Sequence, residues 1–378
     1  MQPIGKKIKR VFIDEFHDMI RCHPDRKPRW QVLAKKCSQL SVQIILLSAT
    51  CPPSMTDQLL KPFALQQQTV AFIRGPTDRE EIGLHYVRAL STADNLPLHR
   101  IVACLHAMLE PEERILVFFN GKVELSKFAS KSGCAAYHGD LCEPGDTMEE
   151  NILRWDSGET KVMACTTGFA QGVDRPNVRF VVMKNPEYGL LVTVQMMGRA
   201  GRDGKRSHAI VVDTEPERFL QGDLASSNAV RAVLGNDEVC RVFSTSMAFD
   251  GADRAYKCAE RPRRVACDVC NPSDPVHRAI VTASKGAAGP VESLARPAWP
   301  MKTDASLRQV SAVQTPKTKV RFISSRCSLT DGRRATAASS LWGDVARGVT
   351  HQSAAACGSV QGALHSLLGG CCRSGSQS

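Results

Sequence analysis

The sequence lacks any uninterrupted apolar run approaching about 18 residues, which argues against a membrane-spanning helix. It also shows no secretory signal, because the opening "MQPIGKKIKR" is followed by only three apolar residues. The chain nonetheless carries 15 cysteines. These features together predict an intracellular protein with no membrane partner, whose cysteines are thiols or metal ligands rather than disulfides.

Positive charge is unevenly distributed along the chain. Residues 271–378 hold 13 Lys and Arg against 5 Asp and Glu, a net +8, which leaves +3 of the total +11 for residues 1–270. A basic segment favours a polyanionic partner such as nucleic acid, and a solvated tail explains it equally well. From about Ala279 periodicity fails and small and polar residues dominate, so residues 279–378 are predicted to be a basic, mostly disordered tail.

Apolar runs alternate with segments of helical spacing. "KRVFID" and "VQIILLSAT" are typical of buried strands, and they flank the helical pattern "WQVLAKKCSQL". Further on, the predicted strands are "RILVFFN", "CAAYHG", "KVMACTT", "VRFVVM" and "HAIVVD", with helices between them. This alternation predicts an α/β fold with a parallel sheet and helices on both faces. Ligands bind beyond the carboxyl ends of such strands, so the polar residues there are candidates.

The first two strands end in polar side chains. Asp14 and Glu15 could serve nucleotide hydrolysis, one holding Mg²⁺ and the other orienting or deprotonating water, although a helix N-cap is an equally common use. If the strands are neighbours, Ser48 and Thr50 would lie near His17. Ordinary capping also explains both hydroxyls.

Two later segments could bind phosphate. In "KVMACTTGFAQGVDRP", hydroxyls and glycines follow a strand and allow close backbone approach, although a plain connection fits too. In "QMMGRAGRDG", glycines flank Arg199 and Arg202, which are three residues apart and can project to one side of a helical turn. Guanidinium groups match phosphate oxygens and can neutralise charge on a γ-phosphate. The glycine pairing favours this over a solvated basic turn.

In this order, "DEFH", "LSAT", "ILVFFN", "ACTTGFAQGVDRPNVRF" and "QMMGRAGRDG" resemble the motifs of superfamily 2 helicases. The RecQ group of 3′–5′ DNA helicases is the best match, through "SATCPPS", "GVDRPNVRFVV" and the Asp-Gly after the second arginine. The short segment between "DEFH" and "SAT" resembles the fungal RecQ-like and telomere-linked type. DEAH-type RNA helicases share QxxGRAGR and remain the nearest alternative.

The resemblance implies tandem RecA-like domains, a small zinc-binding region and the disordered tail. The implied boundaries are 1–73 for an incomplete first domain, 74–222 for the second and 223–278 for the zinc region. ATP, Mg²⁺ and Zn²⁺ are the implied cofactors. DNA, as single strands and duplex junctions, is the implied partner, in the nucleus.

The resemblance also implies a role for each matching residue. Catalytic roles fall to Asp14, which also binds Mg²⁺, Glu15, His17, Gln195, Arg199 and Arg202, the last as the arginine finger. Nucleotide contacts fall to Gly172, Asp174, Arg199 and Arg202. DNA contacts or coupling fall to Ser48, Thr50, Asn120, Thr166 and Thr167.

Four cysteines stand where the family has its zinc module: Cys240, Cys258, Cys267 and Cys270. The pair in "CDVC" is a good half-site for zinc, and two upstream cysteines complete a tetrahedral set. The spacing to Cys258 is longer than is usual in the family, and reduced surface thiols are the alternative.

No GxxxxGKS or GxxxxGKT occurs in the 378 residues, so the loop that cradles phosphates, and its lysine, are missing. Only thirteen residues precede "DEFH". The resemblance therefore predicts the C-terminal part of a helicase. Two functions stay open: an ATP-dependent 3′–5′ DNA helicase of which this is a fragment, or a nucleic-acid-binding remnant without ATPase activity.

Overall fold

Strands and helices alternate along most of the chain in a computed structural model, which describes residues 9–21, 27–40, 42–89, 95–141, 146–170, 174–185, 187–215 and 227–286. The described strands are β1 (Arg10–Ile13), β2 (Gln43–Leu46), β3 (Ile82–Arg88), β4 (Arg114–Phe118), β5 (Ala135–Tyr137), β6 (Val162–Cys165), β7 (Val178–Lys184) and β8 (Ser207–Asp213). The described α-helices are α1 (Asp18–Arg21), α2 (Lys27–Ser38), α3 (Thr56–Leu60), α4 (Leu96–His106), α5 (Lys122–Ser132), α6 (Met148–Ser157), α7 (Gly189–Met197), α8 (Ser227–Leu234), α9 (Arg241–Asp250) and α10 (Pro275–Lys285).

Of the described residues, those from Val11 to Gly286 belong to one compact unit, and Lys9 and Arg10 belong to a second. Among the helices of the described ranges, none combines the length and the apolar character that crossing a membrane requires.

The main sheet has six strands in the order β3-β8-β7-β4-β6-β5, and every neighbouring pair is parallel. A separate two-stranded sheet pairs β1 with β2. Successive side chains of a strand point to opposite faces. Accordingly, Leu116 and Phe118 of β4 enter one apolar core, and Ile115 and Val117 enter another. The predicted α/β fold with a parallel sheet covered on both faces is confirmed.

Helix α6 shows how local sequence sets the helix ends. Thr147 and Glu150 form a capping box, in which the Glu150 N–H donates to Thr147 Oγ1 at 3.2 Å and the Thr147 N–H donates to Glu150 Oε2 at 2.9 Å. The helix ends at Gly158, whose φ of 85° is the left-handed conformation that favours glycine. The acidic first turn and the terminal glycine were both visible in the sequence.

Two elements differ from the sequence prediction. Strand β3 was not predicted, yet it pairs with β8 along its whole length and forms an edge of the main sheet. Helix α10 passes residue 279, where the predicted tail begins, and continues to Lys285. The Asp274 carboxylate accepts the N–H of Val276 at 2.9 Å to start this helix, and Ile280 is fully buried.

The rest of the predicted tail, residues 287–378, lies outside the described residues, as does the predicted boundary between residues 222 and 223. The predicted boundary between residues 73 and 74 stays a prediction.

Candidate functional site

His17 connects the end of β1 to β2 and to α7. Its Nδ1 lies 2.8 Å from Ser48 Oγ, and its Nε2 lies 2.6 Å from Gln195 Nε2. Since the Gln195 amide nitrogen can only donate, the histidine proton belongs on Nδ1, which donates to Ser48. The ring is fully buried, which fixes its position. Three predicted residues from three separate segments therefore meet at one imidazole.

Two exposed carboxylates precede this histidine. Glu15 adopts a φ of 50°, an uncommon conformation for a residue other than glycine, and its N–H donates to Asp14 Oδ1 at 2.9 Å. Glu15 Oε2 lies 3.4 Å from His17 Nδ1. Such backbone strain is often found at functional sites. Both carboxylates lie at the strand end, open to a ligand.

Ser48 and Thr50 form a small turn after β2. Ser48 Oγ accepts the Thr50 N–H at 3.0 Å as well as the histidine proton. The Thr50 side chain is buried, only 2% exposed. Its hydroxyl oxygen has no hydrogen-bond partner among the described residues, so Thr50 does not present its side chain to solvent.

The turn that carries the two arginines is held by Arg79. Arg79 Nη1 donates to Gly198 O at 2.9 Å, and its Nη2 donates to Gly201 O at 2.7 Å. Glu81 Oε1 accepts from Arg79 Nε at 2.8 Å, which orients the guanidinium. Arg79 therefore fixes both ends of the turn.

Of the two glycines, Gly201 is the one that the backbone requires. Its φ is 58°, and a Cβ there would lie 2.6 Å from Ser207 Oγ. At Gly198, with φ −63°, the same atom would come no closer than 3.4 Å to its neighbours.

The two arginines lie beside carboxylates from other segments. Arg202 Nη1 donates to Asp174 Oδ1 at 2.8 Å, and this contact lowers the pKa of Asp174. Burial and the nearby charge of Arg202 lower the pKa of Arg199 to about 10, against the opposing effects of Glu15 and Asp174. Arg199 therefore stays charged at neutral pH and lies within electrostatic reach of both carboxylates. Gly172 lies outside the described residues.

Residues at the ends of β4 and β6 meet at Tyr188. The Tyr188 hydroxyl donates to Asn120 O at 2.8 Å. Burial raises the pKa of Tyr188, and a hydrogen bond with Thr167 opposes that rise. Thr166 directly follows β6, and its N–H donates to Tyr137 O at 3.2 Å. The carboxyl ends of these two strands therefore carry three of the predicted DNA-binding residues, Asn120, Thr166 and Thr167.

The four predicted zinc ligands come together, with all four sulfur atoms within 4.8 Å of one another. Cys240 Sγ lies 3.6 Å from Cys258 Sγ and 3.9 Å from Cys267 Sγ. Thiolates bound at about 2.3 Å around a tetrahedral ion lie about 3.8 Å apart, so the spacing fits zinc. Cys270 is exposed and the other three are buried, which argues against the surface-thiol alternative for those three. Zinc itself stays a prediction.

The segment that carries these cysteines covers the free edge of β3. The Asp268 N–H donates to Leu84 O at 3.0 Å, and the Tyr86 N–H donates to Asp268 Oδ2 at 2.9 Å. Arg263 Nη2 donates to Ile82 O at 2.9 Å and to Arg79 O at 3.2 Å. Covering an edge strand prevents it from pairing with another chain. The same contacts link the cysteine region to the residue that holds the arginine turn.

Sequence reasoning missed two residues of this site. Arg79 lies in the charged run "TDREE", where nothing separates it from a solvated arginine. Tyr188 follows β7 and is one of only four tyrosines, which is a signal that could have been noticed.

Residues 98–204 match the family described as Helicase conserved C-terminal domain. The chain is 25% identical over 211 residues to ATP-dependent DNA helicase Q-like 2 of Arabidopsis thaliana, covering 54% of this chain and 29% of that protein. It is 26% identical over 229 residues to ATP-dependent DNA helicase RecQ of Bacillus subtilis, covering 57% and 36%. The solved structure of S. cerevisiae Dbp5 bound to RNA and ADP BeF3 overlaps 72% of this chain and 64% of its own, with a TM-score of 0.44 and 18% identity.

These sequence matches relate the chain to the helicases of superfamily 2. RecQ-like DNA helicases are among these relatives, so the predicted resemblance to the RecQ-like group is confirmed. The fungal and telomere-linked type stays a prediction. The chain spans 29% to 45% of the length of four curated relatives that it matches.

Proposed function

We propose that this chain forms the second lobe, and the nucleotide-facing end of the first lobe, of an ATP-dependent 3′–5′ DNA helicase of the RecQ-like group. The observation that carries the proposal is the contact between His17 and Gln195. It joins the strand end that carries the two carboxylates to the helix that leads into the arginine turn. Zinc at the four-cysteine cluster and a nuclear location belong to the same proposal.

In this proposal the carboxylates and the arginines act on opposite sides of ATP. Asp14 would hold Mg²⁺, which would neutralise charge on the phosphates, and Glu15 would orient or deprotonate the attacking water. Arg202, partly exposed and paired with Asp174, exchanges that carboxylate for the γ-phosphate and neutralises the charge that develops there. Arg199, which is more buried, supports the same charge from its fixed position.

Coupling to DNA uses the contacts around His17. Asn120, Thr166 and Thr167 face the bound strand at the carboxyl edge of the sheet. A shift of Gln195 with the second lobe moves the His17 proton relative to Ser48, so nucleotide hydrolysis and the grip on the strand change together. Opening and closing of the two lobes around ATP then drives translocation.

A second candidate is a nucleic-acid-binding protein without ATPase activity. The sequence has no GxxxxGKS or GxxxxGKT, and positioning of the phosphates supplies much of the rate in phosphoryl transfer. We therefore expect the 378-residue chain alone to hydrolyse ATP negligibly. The basic balance of residues 271–378 is compatible with either candidate.

The test joins this chain to the P-loop-bearing first-lobe segment of a RecQ-like relative. ATP hydrolysis is then measured without nucleic acid, with single-stranded DNA and with single-stranded RNA. Hydrolysis stimulated by DNA, and lost in Glu15→Gln, is the expected result. Stimulation by RNA alone would favour the DEAH-type alternative. Tight DNA binding without hydrolysis in the fusion would favour the binding protein.

A further inference from the structure

Three histidines that the helicase proposal does not use meet beside the β3 edge of the main sheet. They are His85 on β3, His208 on β8 and His277 on α10. His85 Nε2 lies 2.9 Å from His208 Nδ1, and His85 Nδ1 lies 3.5 Å from His277 Nδ1. The first two rings are buried, and the His277 side chain is 18% exposed. Gly83 makes room for them, because a Cβ there would lie 3.0 Å from His208 Nδ1.

The proton positions follow from these distances. At 2.9 Å, one nitrogen of the His85–His208 pair donates and the other accepts. If His85 Nε2 donates, its Nδ1 carries a lone pair directed toward His277. An imidazole binds a metal ion through such a lone pair.

A carboxylate completes the group. Asp268 Oδ2 lies 3.8 Å from His277 Nδ1, and the ligand atoms of Asp268, His85 and His277 all lie within 4.8 Å of one another. Ligands at about 2.0–2.2 Å from a tetrahedral ion lie about 3.3–3.5 Å apart. The histidine nitrogens already have this separation, and Asp268 Oδ2 lies 3.8 Å from His277 Nδ1.

We propose that His85 Nδ1, His277 Nδ1 and Asp268 Oδ2 form a second metal site, for a divalent transition-metal ion such as Zn²⁺, distinct from the four-cysteine cluster. Two imidazoles and one carboxylate form a donor set that zinc accepts. His277 is the partly exposed member of this donor set. The proposal does not depend on the helicase activity.

In other proteins, hydrogen bonds from neighbouring groups hold metal-binding side chains in place, and the same kind of contacts surround these three residues. When Nδ1 of a histidine binds an ion, its other nitrogen carries a proton and donates to a neighbour, and here His85 Nε2 has His208 Nδ1. Asp268 Oδ1 pairs with Arg241, and Oδ2 accepts the Tyr86 N–H at 2.9 Å. The positive charge of Arg241 is shared with Asp237.

A second triad is less suited to an ion. His85, His208 and Asp274 also have ligand atoms within 4.8 Å of one another. The 2.9 Å between the two rings, however, is a normal hydrogen-bond length. Asp274 Oδ1 is already used by the backbone N–H groups of Val276, at 2.9 Å, and His277, at 3.3 Å. This triad therefore serves to hold α10 and the ring of His85.

The tag-free 378-residue chain is loaded with Zn²⁺ and then dialysed. Elemental mass spectrometry then measures the number of zinc ions bound per chain. We expect about two ions per chain in the unmodified protein and about one in His277→Ala. His277→Cys should restore the second ion, since thiolate also binds zinc. His106→Ala, which removes a partly buried histidine of α4, is the matched control and should retain both. Circular dichroism checks that each variant is folded.

Loading with Co²⁺ identifies which site an ion occupies. Cobalt on the four cysteines gives strong thiolate charge-transfer absorption, whereas cobalt on two histidines and a carboxylate does not. Cys267→Ser should remove the thiolate bands and leave the ion that His277→Ala removes. One ion that Cys267→Ser abolishes and His277→Ala leaves in place would overturn the histidine site. One ion that His277→Ala abolishes and Cys267→Ser leaves in place would support the histidine site. It would also show that the cysteine cluster binds no zinc. No bound ion would overturn both.

Discussion

The Nε2 atom of His17 lies 2.6 Å from the side-chain nitrogen of Gln195, although 178 residues separate them in the chain. Because His17 also contacts Ser48, one buried ring touches the segments that follow β1 and β2 and the helix that precedes the arginine turn. In the proposed helicase, this contact is where nucleotide chemistry and the DNA grip meet.

Replacing Gln195 with alanine should uncouple nucleotide hydrolysis from DNA binding. In the protein completed with a P-loop segment, Gln195→Ala should lower DNA-stimulated ATP turnover by at least about tenfold, because a misplaced catalytic group loses rate steeply. Binding of single-stranded DNA should change little. Gln67→Ala is the matched control, since that exposed side chain contacts only Asp57 among the described residues. Equal turnover in both variants would contradict the coupling role.

Arg79 should be required to position the arginine turn. Arg79→Ala removes two donors to the carbonyls of Gly198 and Gly201, and we expect a loss of about 1–3 kcal/mol in the free energy of unfolding. Turnover in the completed protein should fall as well. Arg264→Ala removes an exposed ion pair with Glu80 and should cost at most about 1 kcal/mol. Urea unfolding measures the free energy of unfolding of both variants. Equal values would show that Arg79 does not hold the turn.

Substitution of Gly201 should destabilise the protein, whereas substitution of Gly75 should not. Gly201→Ala places a Cβ 2.6 Å from Ser207 Oγ at a positive φ, so we expect about 1–3 kcal/mol of destabilisation. At Gly75 the same atom meets nothing within 4 Å, and Gly75→Ala should be close to neutral. Chemical denaturation of the 378-residue chain measures both. A neutral Gly201→Ala would mean that the turn has another conformation.

DNA binding should depend on salt, and residues 287–378 should contribute to that dependence. This segment carries 11 Lys and Arg against 4 Asp and Glu, a net +7. Each phosphate contact releases counterions, so affinity falls as salt rises. Deleting residues 287–378, which leaves α10 intact, should flatten the slope of affinity against salt concentration. An unchanged slope would show that the segment does not bind DNA.

Local sequence patterns identified several elements. β4 and β7 contain the apolar runs "ILVF" and "FVVM", and α6 has clear capping signals, so each was identifiable alone. β3 was missed because "IGLHYVR" mixes glycine, histidine and arginine, and its strand character comes from pairing with β8 and from the segment that covers its edge. The start of α10 was not predicted as a helix, because Asp274 and Pro275 suit a turn as well as a helix cap.

The residues of the candidate site also fall into those that the sequence identified and those that it did not. The motif residues could be found because each group is local in sequence. Arg79 and the cluster of His85, His208 and His277 could not, because they are assembled from distant segments: His85 and His277 are 192 residues apart. The pairing of β3 with β8 and the packing of α10 and the cysteine region against β3 bring them together.

The measurement that tests the central claim most directly compares two arginines in the completed protein. Arg202 lies beside Asp174, whereas Arg206, four residues later, is 65% exposed and lies 3.9 Å from Asp274. We predict that Arg202→Ala lowers DNA-stimulated ATP turnover by about 10³-fold or more with DNA affinity largely kept, and that Arg206→Ala leaves turnover near that of the unmodified protein. Similar turnover in the two variants, or robust turnover by the unfused 378-residue chain, would contradict the account.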